Sequence, residues 1–501
     1  LLLAAAAAAT LWLVAAVAIT WTALPSVRTD FYSSIGRDRV EAFQRSAGIK
    51  TTAGADWIHA GWIADPERES YRVYLRSISD EWRPADTARS GSFRSGGDAW
   101  RLVETTRYGS ALARDLLPDS DYEVRVEAVG EGNGATRRTI REIAAARART
   151  AAAPGPPERP VVAGAWRPLF RPTQAGDYVN DHTVFRDASG RWRLLGITGP
   201  GRGDYDAEVR LAQGRAPDRA LPRASGAPSG TSASAATASE ASSLAPPIRP
   251  LGFGEVLAAG GMKEDEAVAD YRQPAWAPHV VRDDADLFHL LWSPHRLAHA
   301  VSVDAAHWYR RADAIARPSG WFFRDAMVLE VARGQWLLYA TSRGWWYSAV
   351  DVYQSFDLDH WQRIGTAWQA QRGSERNALV SSAESPFVVA RGGRYYLSIT
   401  YNNESGIGAP LALALGYWTA GARAYNDTLV FGSTNPYDFG EWRGRGRASQ
   451  LVAQLEAHAP EYVYDDSEDA WYVTTAGWPL AATLTSGEVA AASLRWEPAG
   501  R

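Results

Sequence analysis

The chain has 501 residues, 46% of them hydrophobic and 22% charged, with a formal net charge of −4. This balance excludes disorder for most of the chain, and the length exceeds one ordinary core, so two or three folded units are expected. With no basic surplus, nucleic acid is not an expected partner, and with no Cys neither a disulfide nor a thiolate metal site can form. Residues 1–23, "LLLAAAAAATLWLVAAVAITWTA", carry no charge. A run of this length predicts a signal peptide or a membrane anchor, and hence a secreted or cell-envelope protein whose possible membrane partner is reached through that segment. Residues 24–55 read as a polar linker.

Residues 56–150 predict a small β-sandwich. "YRVYLRSI" (71–78) and "DYEVRVEAVG" (121–130) alternate apolar and polar residues as half-buried strands do, and turn formers separate such runs. The stretch "LLPDSDYEVRVEAV", with Leu116, Pro118 and Tyr122, resembles the fibronectin type III signature and its tyrosine corner. No chemistry is apparent in this unit, which reads as a spacer or docking module. "RTAAAPGPPERP" then predicts a stiff linker over 151–164.

From residue 165 to 501 a layout recurs. "NDHTVFRDASGRWRLLGITG", "APHVVRDDADLFHLLWSPH", "RDAMVLEVARGQWLLYATSR", "ESPFVVARGGRYYLSITYNN" and "APEYVYDDSEDAWYVTTAGW" each read as a strand, a turn and an aromatic-rich strand. A second element, "SVDAAHW", "SFDLDHW" or "STNPYDFGEW", follows three of them. Repeated four-stranded units of this kind predict a five-bladed β-propeller, so the fold class is all-β. An Ala/Ser/Pro-rich tract over about 212–250 is too poor in large apolar residues to pack and reads as a disordered insertion. Equating Asp181, Pro278, Asp325, Ser385 and Pro460 places them at one point of successive blades.

Innermost propeller strands converge on the axis, so Asp181, Asp325 and Glu384 would face one cavity. Like charges confined there cannot all ionise easily, and one pKa rises. Glycosidic cleavage needs one protonated carboxyl and one ionised carboxylate, which such a trio can supply. A single acid at a strand start is more often a turn-binding group; three at blade starts favour function. Asn180, His182, Trp276, His279, Trp321, Phe322, Arg324 and His458 lie at or beside the same strand starts and are candidates for sugar binding. The 22 Trp and 21 Tyr serve chiefly as packing, although such rings also stack on sugars.

The motifs "NDH", "RDA" and "ESP", together with "WAP" and "SFDLDHW", resemble those of the five-bladed propeller glycoside hydrolases, families 32, 43, 62 and 68. That resemblance implies an O-glycosidase acting on arabinan, xylan or fructan. It implies Asp181 as general base or nucleophile, Asp325 as the orienting carboxylate and Glu384 as general acid. His182 and Ala326 stand where those families carry proline. No cofactor is expected, since no Gly-rich loop joins a strand to a helix. The resemblance also brings in an axial metal ion near His458, but one histidine is no ligand set, and metal stays open. Two other classes compete with hydrolysis. A non-catalytic carbohydrate-binding propeller would keep the rings without needing the carboxylates, and a phosphorolytic enzyme would show clustered cations at the cavity mouth.

Overall fold

The computed structural model describes residues 49–62, 69–78, 100–130, 139–173, 177–200, 208–217, 250–265, 274–293, 295–316, 318, 323–343, 348–370, 382–402, 427–442, 450–477 and 487–500. The predicted signal or anchor segment, Trp321, Phe322 and the core of the Ala/Ser/Pro tract lie outside these residues. Among the described residues no helix is long and apolar enough to cross a membrane.

The protein is all-β. A three-stranded sheet (Lys50–Ala53, Ile58–Gly61, Ser110–Ala113) faces a four-stranded one (Arg101–Thr106, Glu69–Ser77, Asp121–Gly130, Thr139–Arg149). In Asp121–Gly130 every second side chain from Tyr122 to Ala128 is buried, and these residues pack with Ile58, Trp62, Tyr71 and Val73 into one core. Lys50–Ala53 falls inside the predicted linker 24–55, so the sandwich begins earlier than expected. "KTTA" has no apolar alternation. Its place comes from pairing with Ile58–Gly61 and from Thr52, whose hydroxyl donates to Gln335 Oε1 at 2.6 Å.

Five further sheets form a propeller-like ring. Their innermost strands are Asp177–Arg186, Trp276–Arg282, Arg324–Ala332, Ser382–Arg391 and Tyr462–Asp465, here numbered blades 1 to 5. Neighbouring blades share cores: Phe185, Leu195 and Leu211 with Val280 and Phe288; Leu291 with Val328 and Trp336; Met327, Tyr339 and Trp368 with Val388 and Phe431; Val389 and Tyr396 with Tyr462 and Val473; Val463, Tyr472 and Val489 with Val179 and Trp192. Burial on both faces explains why the middle strands read as near-continuous apolar runs rather than alternating ones.

Blade 5 is built from both ends of the ring. Glu158–Val162 pairs antiparallel with Val489–Pro498, Val161 opposite Arg495, as its outermost strand. The predicted Pro-rich linker 151–164 is therefore part of the ring, since a Pro is tolerated in an edge strand. Arg210–Arg215, with Leu211 and Ala212 buried, is the third strand of blade 1, so the disordered tract cannot begin at 212. Beyond it, the short helix Phe253–Ala258 seats Phe253 edge-on to Trp192, ring centroids 5.2 Å apart, and its Glu255 Oε2 accepts from Gly252 N at 2.8 Å.

The Ser-x-Asp elements are side-chain-stabilised turns. Ser355 Oγ accepts from Asp357 N and Leu358 N, Asp357 Oδ1 accepts from Asp359 N and His360 N, and Leu358 takes φ of 64°. Ser302 and Asp304 repeat the pattern in blade 2, with Ala305 at φ 60°. The sandwich docks on blades 3 and 4. Trp57, 1% exposed, enters the blade 3/4 core and donates from Nε1 to Thr434 O at 2.6 Å.

Candidate active site

One backbone device recurs at the inner end of every blade. In blades 1 to 4 the pairing of first and second strands skips two residues against one: Asn180 and Asp181, Ala277 and Pro278, Asp325 and Ala326, Ser385 and Pro386. In blade 5, Ala476 N bonds to His458 O and Thr474 N to Glu461 O, so Ala459 and Pro460 make the same bulge. Ala277, Asp325, Ser385 and Ala459 have φ between 44° and 57°. Each non-glycine residue held there costs on the order of 1 kcal/mol, and bulges of this kind re-aim side chains.

The register corrects one expectation. Asp181 shares the second bulge position with Pro278, Ala326, Pro386 and Pro460, whereas Asp325 shares the first with Asn180, Ala277, Ser385 and Ala459. Glu384 precedes its bulge, level with Trp276, Arg324 and His458. The equation of Asp181 with Asp325 and Ser385 is one residue out: blades 1 and 3 lack the proline that marks the second position, and in blade 4 that position is held by Pro386 and not Ser385. The three carboxylates thus come from three successive steps of one bulge.

These steps bring Asp181, Asp325, Glu384 and Arg324 into one hydrogen-bonded set. Arg324, 7% exposed, reaches Asp325 Oδ2 from NH1 at 2.9 Å and Glu384 Oε1 from NH2 at 3.0 Å. Ser385 joins the remaining carboxyl: its N donates to Asp325 Oδ2 at 3.1 Å and its Oγ to Asp181 Oδ1 at 2.9 Å. Ser293 Oγ accepts from Asp325 N at 3.0 Å and so supports the bulge from blade 2. Burial pushes the Asp181 carboxyl well above the usual range; the charges of Asp325 and Glu384 push the same way, and the Ser385 hydroxyl opposes them. Burial also raises Asp325, against which Arg324 works directly. Burial and both acidic neighbours thus favour the protonated form of Asp181, while Arg324 pairs with Glu384.

The other candidates divide. His458, 3% exposed, lies 3.1 Å from Asn180 Oδ1 and 4.0 Å from Asp181 Oδ1, and so belongs to the cluster with Asn180. His182 and His279 line the axial cavity and also bond into the surrounding blades. His182 Nε2 meets Thr474 Oγ1 at 2.7 Å, and burial drives its pKa down to about 3, so the ring is neutral. His279 Nε2 meets Val328 O at 3.2 Å, with Nδ1 3.8 Å from Glu461 Oε1. Both histidines follow their bulge and make these contacts at the wall of the axial cavity. Trp276 is half-buried and pairs with Ser293 in register.

Two residues of the cluster are absent from the sequence-based expectations. Ser385 links two carboxylates, and its only signal was the "ESP" motif itself. Glu461 closes the axis below them: its Oε2 accepts from Val184 N at 2.8 Å, and burial raises its carboxyl. It is the post-bulge residue of blade 5, equivalent to His182 and His279. The cavity between the bulges, lined by Asp181, Asp325, Ser385 and Glu461 among others, measures about 30 Å³, enough for a water with polar partners. Among the described residues no group of three or more His, Asp or Glu is arranged to hold a metal ion.

No protein-family model and no curated protein matches the chain. Solved structures do resemble it. A thermostable family-43 glycoside hydrolase aligns at 14% identity and a TM-score of 0.39, over 66% of this chain and 98% of that one. A Bombyx mori GH32 β-fructofuranosidase aligns at 12% identity and a TM-score of 0.41, over 66% of this chain and 62% of its own. Fructan 1-exohydrolase IIa from Cichorium intybus aligns at 11% identity and a TM-score of 0.39, over 66% of this chain and 57% of its own. The chain spans about three fifths of the β-fructofuranosidase and of the fructan 1-exohydrolase, and what it is similar to is glycoside hydrolases of families 43 and 32.

Proposed function

We propose that the protein is a glycoside hydrolase that cleaves an arabinan-, xylan- or fructan-type glycan at the axial cluster. The observation that carries this is the set itself: three carboxylates from three blades, two of them raised by burial, bound into one network by Arg324 and Ser385. Such a site holds a protonated carboxyl and an ionised one together. The first gives its proton to the glycosidic oxygen as the C–O bond breaks. The second takes a proton from the attacking water, or attacks the anomeric carbon itself and is later released by water.

Two assignments of the acid are open to test. The family resemblance makes Glu384 the acid and Asp181 the base or nucleophile, with Asp325 orienting the sugar. Burial, however, favours the protonated form of Asp181 in the free protein. For Glu384 to deliver a proton, Arg324 must first leave it; for Asp181 to do so, nothing in the cluster need move. Glu384→Gln and Asp181→Asn, assayed on natural glycans and on aryl glycosides, separate the two. Loss of the acid costs about 10² to 10⁴ in rate, and an activated aryl leaving group recovers much of it, whereas loss of the base or nucleophile is not recovered. If the unmutated protein binds a broad glycan panel and turns none over, the carbohydrate-binding scaffold replaces the enzyme, and His182 and Ala326 are the first places to seek the cause.

Around this site we assign the sandwich as a fibronectin type III-like module. Its three-plus-four sheet arrangement supports this, as does Tyr122, whose hydroxyl accepts from Leu117 N at 3.0 Å. Residues 1–23 are proposed to carry the protein out of the cytoplasm, cleaved as a signal or retained as an anchor.

A further inference from the structure

The sandwich and blade 3 enclose a second cavity, of about 240 Å³, outside the axial cluster. Glu104, Thr106 and Ser110 line it from the sandwich, and Gly365 and Thr366 from the propeller. We propose that it is a second, non-catalytic binding site for one neutral sugar unit; the choice of a sugar over other small neutral ligands rests on the glycoside hydrolase reading.

Size sets the first limit. The cavity lies below the roughly 300 Å³ at which pockets for drug-sized ligands begin, so it accepts a single ring and not an oligosaccharide. Charge sets the second. Its lining holds one carboxylate, Glu104, and one guanidinium, Arg114, so the wall carries no net formal charge. An ionic ligand finds no uncancelled partner.

The third observation is a buried donor on the cavity wall. Thr52 Oγ1 donates to Gln335 Oε1 at 2.6 Å, so the amide nitrogen of Gln335 faces His59 Nδ1, 3.3 Å away, and donates to it. His59 therefore carries its hydrogen on Nε2. The ring is 1% exposed and stacked on Tyr437 at 4.3 Å, and burial drives its pKa down to about 3, so it stays neutral. Its Nε2–H has no acceptor among the described residues. A buried donor without an acceptor is costly, and a sugar hydroxyl at this wall would accept from it. Tyr108, 54% exposed, lines the same cavity and offers an aromatic face for the apolar side of a sugar ring.

The test is a saturation-transfer NMR titration of the full chain with arabinose, xylose, fructose and mannose. Gly365→Val fills the space without displacing backbone, since a Cβ at Gly365 meets only Val352 Cγ1, at 3.9 Å. His59→Phe keeps the stack and removes the donor. Saturable binding at about 1 mM is expected for at least one sugar, in the scale of a small ligand of modest efficiency. It should persist in Glu384→Gln and weaken at least tenfold in both cavity variants. Circular dichroism reports that each variant is folded. No binding by the parent, or binding unchanged in both cavity variants, overturns the proposal and leaves a solvent-filled gap between domains. Binding here without any hydrolysis would instead refute the enzyme reading and leave this site standing, and hydrolysis without cavity binding would do the reverse.

Discussion

Replacing Arg324 by methionine removes the only cation that the cluster's hydrogen bonds place between carboxylates, at nearly constant side-chain length. The guanidinium contacts Asp325 and Glu384 at 2.9 and 3.0 Å. At an effective dielectric constant near 20, each contact is worth about 5 kcal/mol of attraction. Much of that is offset by the cost of keeping the ions out of water, and removing one partner of such a set costs about 3 to 5 kcal/mol net. The loss should depend on pH. Without Arg324, which works to lower it, the Asp325 carboxyl rises further above its unfolded value near 4. A carboxyl raised in the folded state makes the folded protein bind more protons than the unfolded one, so stability falls as pH rises from about 4 through the folded pKa. Urea titrations followed by tryptophan fluorescence at pH 5 and pH 8 measure this. The difference between parent and variant should reach its full value at pH 8 and shrink at pH 5. A loss under about 1 kcal/mol at pH 8, or the same loss at both pH values, would refute the electrostatic account of the cluster.

Trp57→Ala should cost about 3 to 5 kcal/mol at the domain junction, as truncation of a buried tryptophan does, and split one calorimetric transition into separate sandwich and propeller transitions. His299→Phe breaks a buried chain in which Asp283, His289, His299 and Asp359 follow one another at 3.0 to 3.2 Å. It should destabilise by about 1 to 3 kcal/mol for each partner left unpaired, read from the urea midpoint. Tyr122→Phe deletes the acceptor for Leu117 N and should cost the sandwich about 1 kcal/mol, visible as a lower melting temperature without loss of secondary structure by circular dichroism.

The ring of five sheets was legible because its strands obey local rules: alternating or continuous apolar runs, turns rich in Asp and Gly, and a small residue followed by proline at the bulge. What was not legible depended on partners distant in sequence. Glu158–Val162 is a strand only because Val489–Pro498 lies beside it, and nothing in "ERPVV" states that. Lys50–Ala53 is ordered by its neighbours in the same way. In the site, Asp181, Asp325 and Glu384 were found from motifs, yet the one-residue stagger between them is a property of register, invisible where blades 1 and 3 omit the proline. Arg324, a candidate for sugar binding, gives both arms of its guanidinium to carboxylates. His182 and His279 line the axial cavity while also bonding to Thr474 and to the backbone of Val328. Glu461 gave no signal because a glutamate after proline in a strand looks like a surface residue until the blade is closed over it.

The antiparallel pairing of Pro160 with Trp496 also governs when the molecule can exist at all. Nearly the whole propeller must be made before its first strand finds its partner, and closing a loop of that length costs about 5 kcal/mol of chain entropy beyond the constant term. Long-range pairing of this kind slows folding and leaves blade edges open meanwhile. During synthesis the finished sandwich waits beside an unclosed ring whose fifth sheet lacks its middle strands. A ribosome stalled before Val489 would therefore present the first four blades with an unpaired strand and an open seam, which makes the arrival of Val489–Pro498 the point at which escape from aggregation is decided.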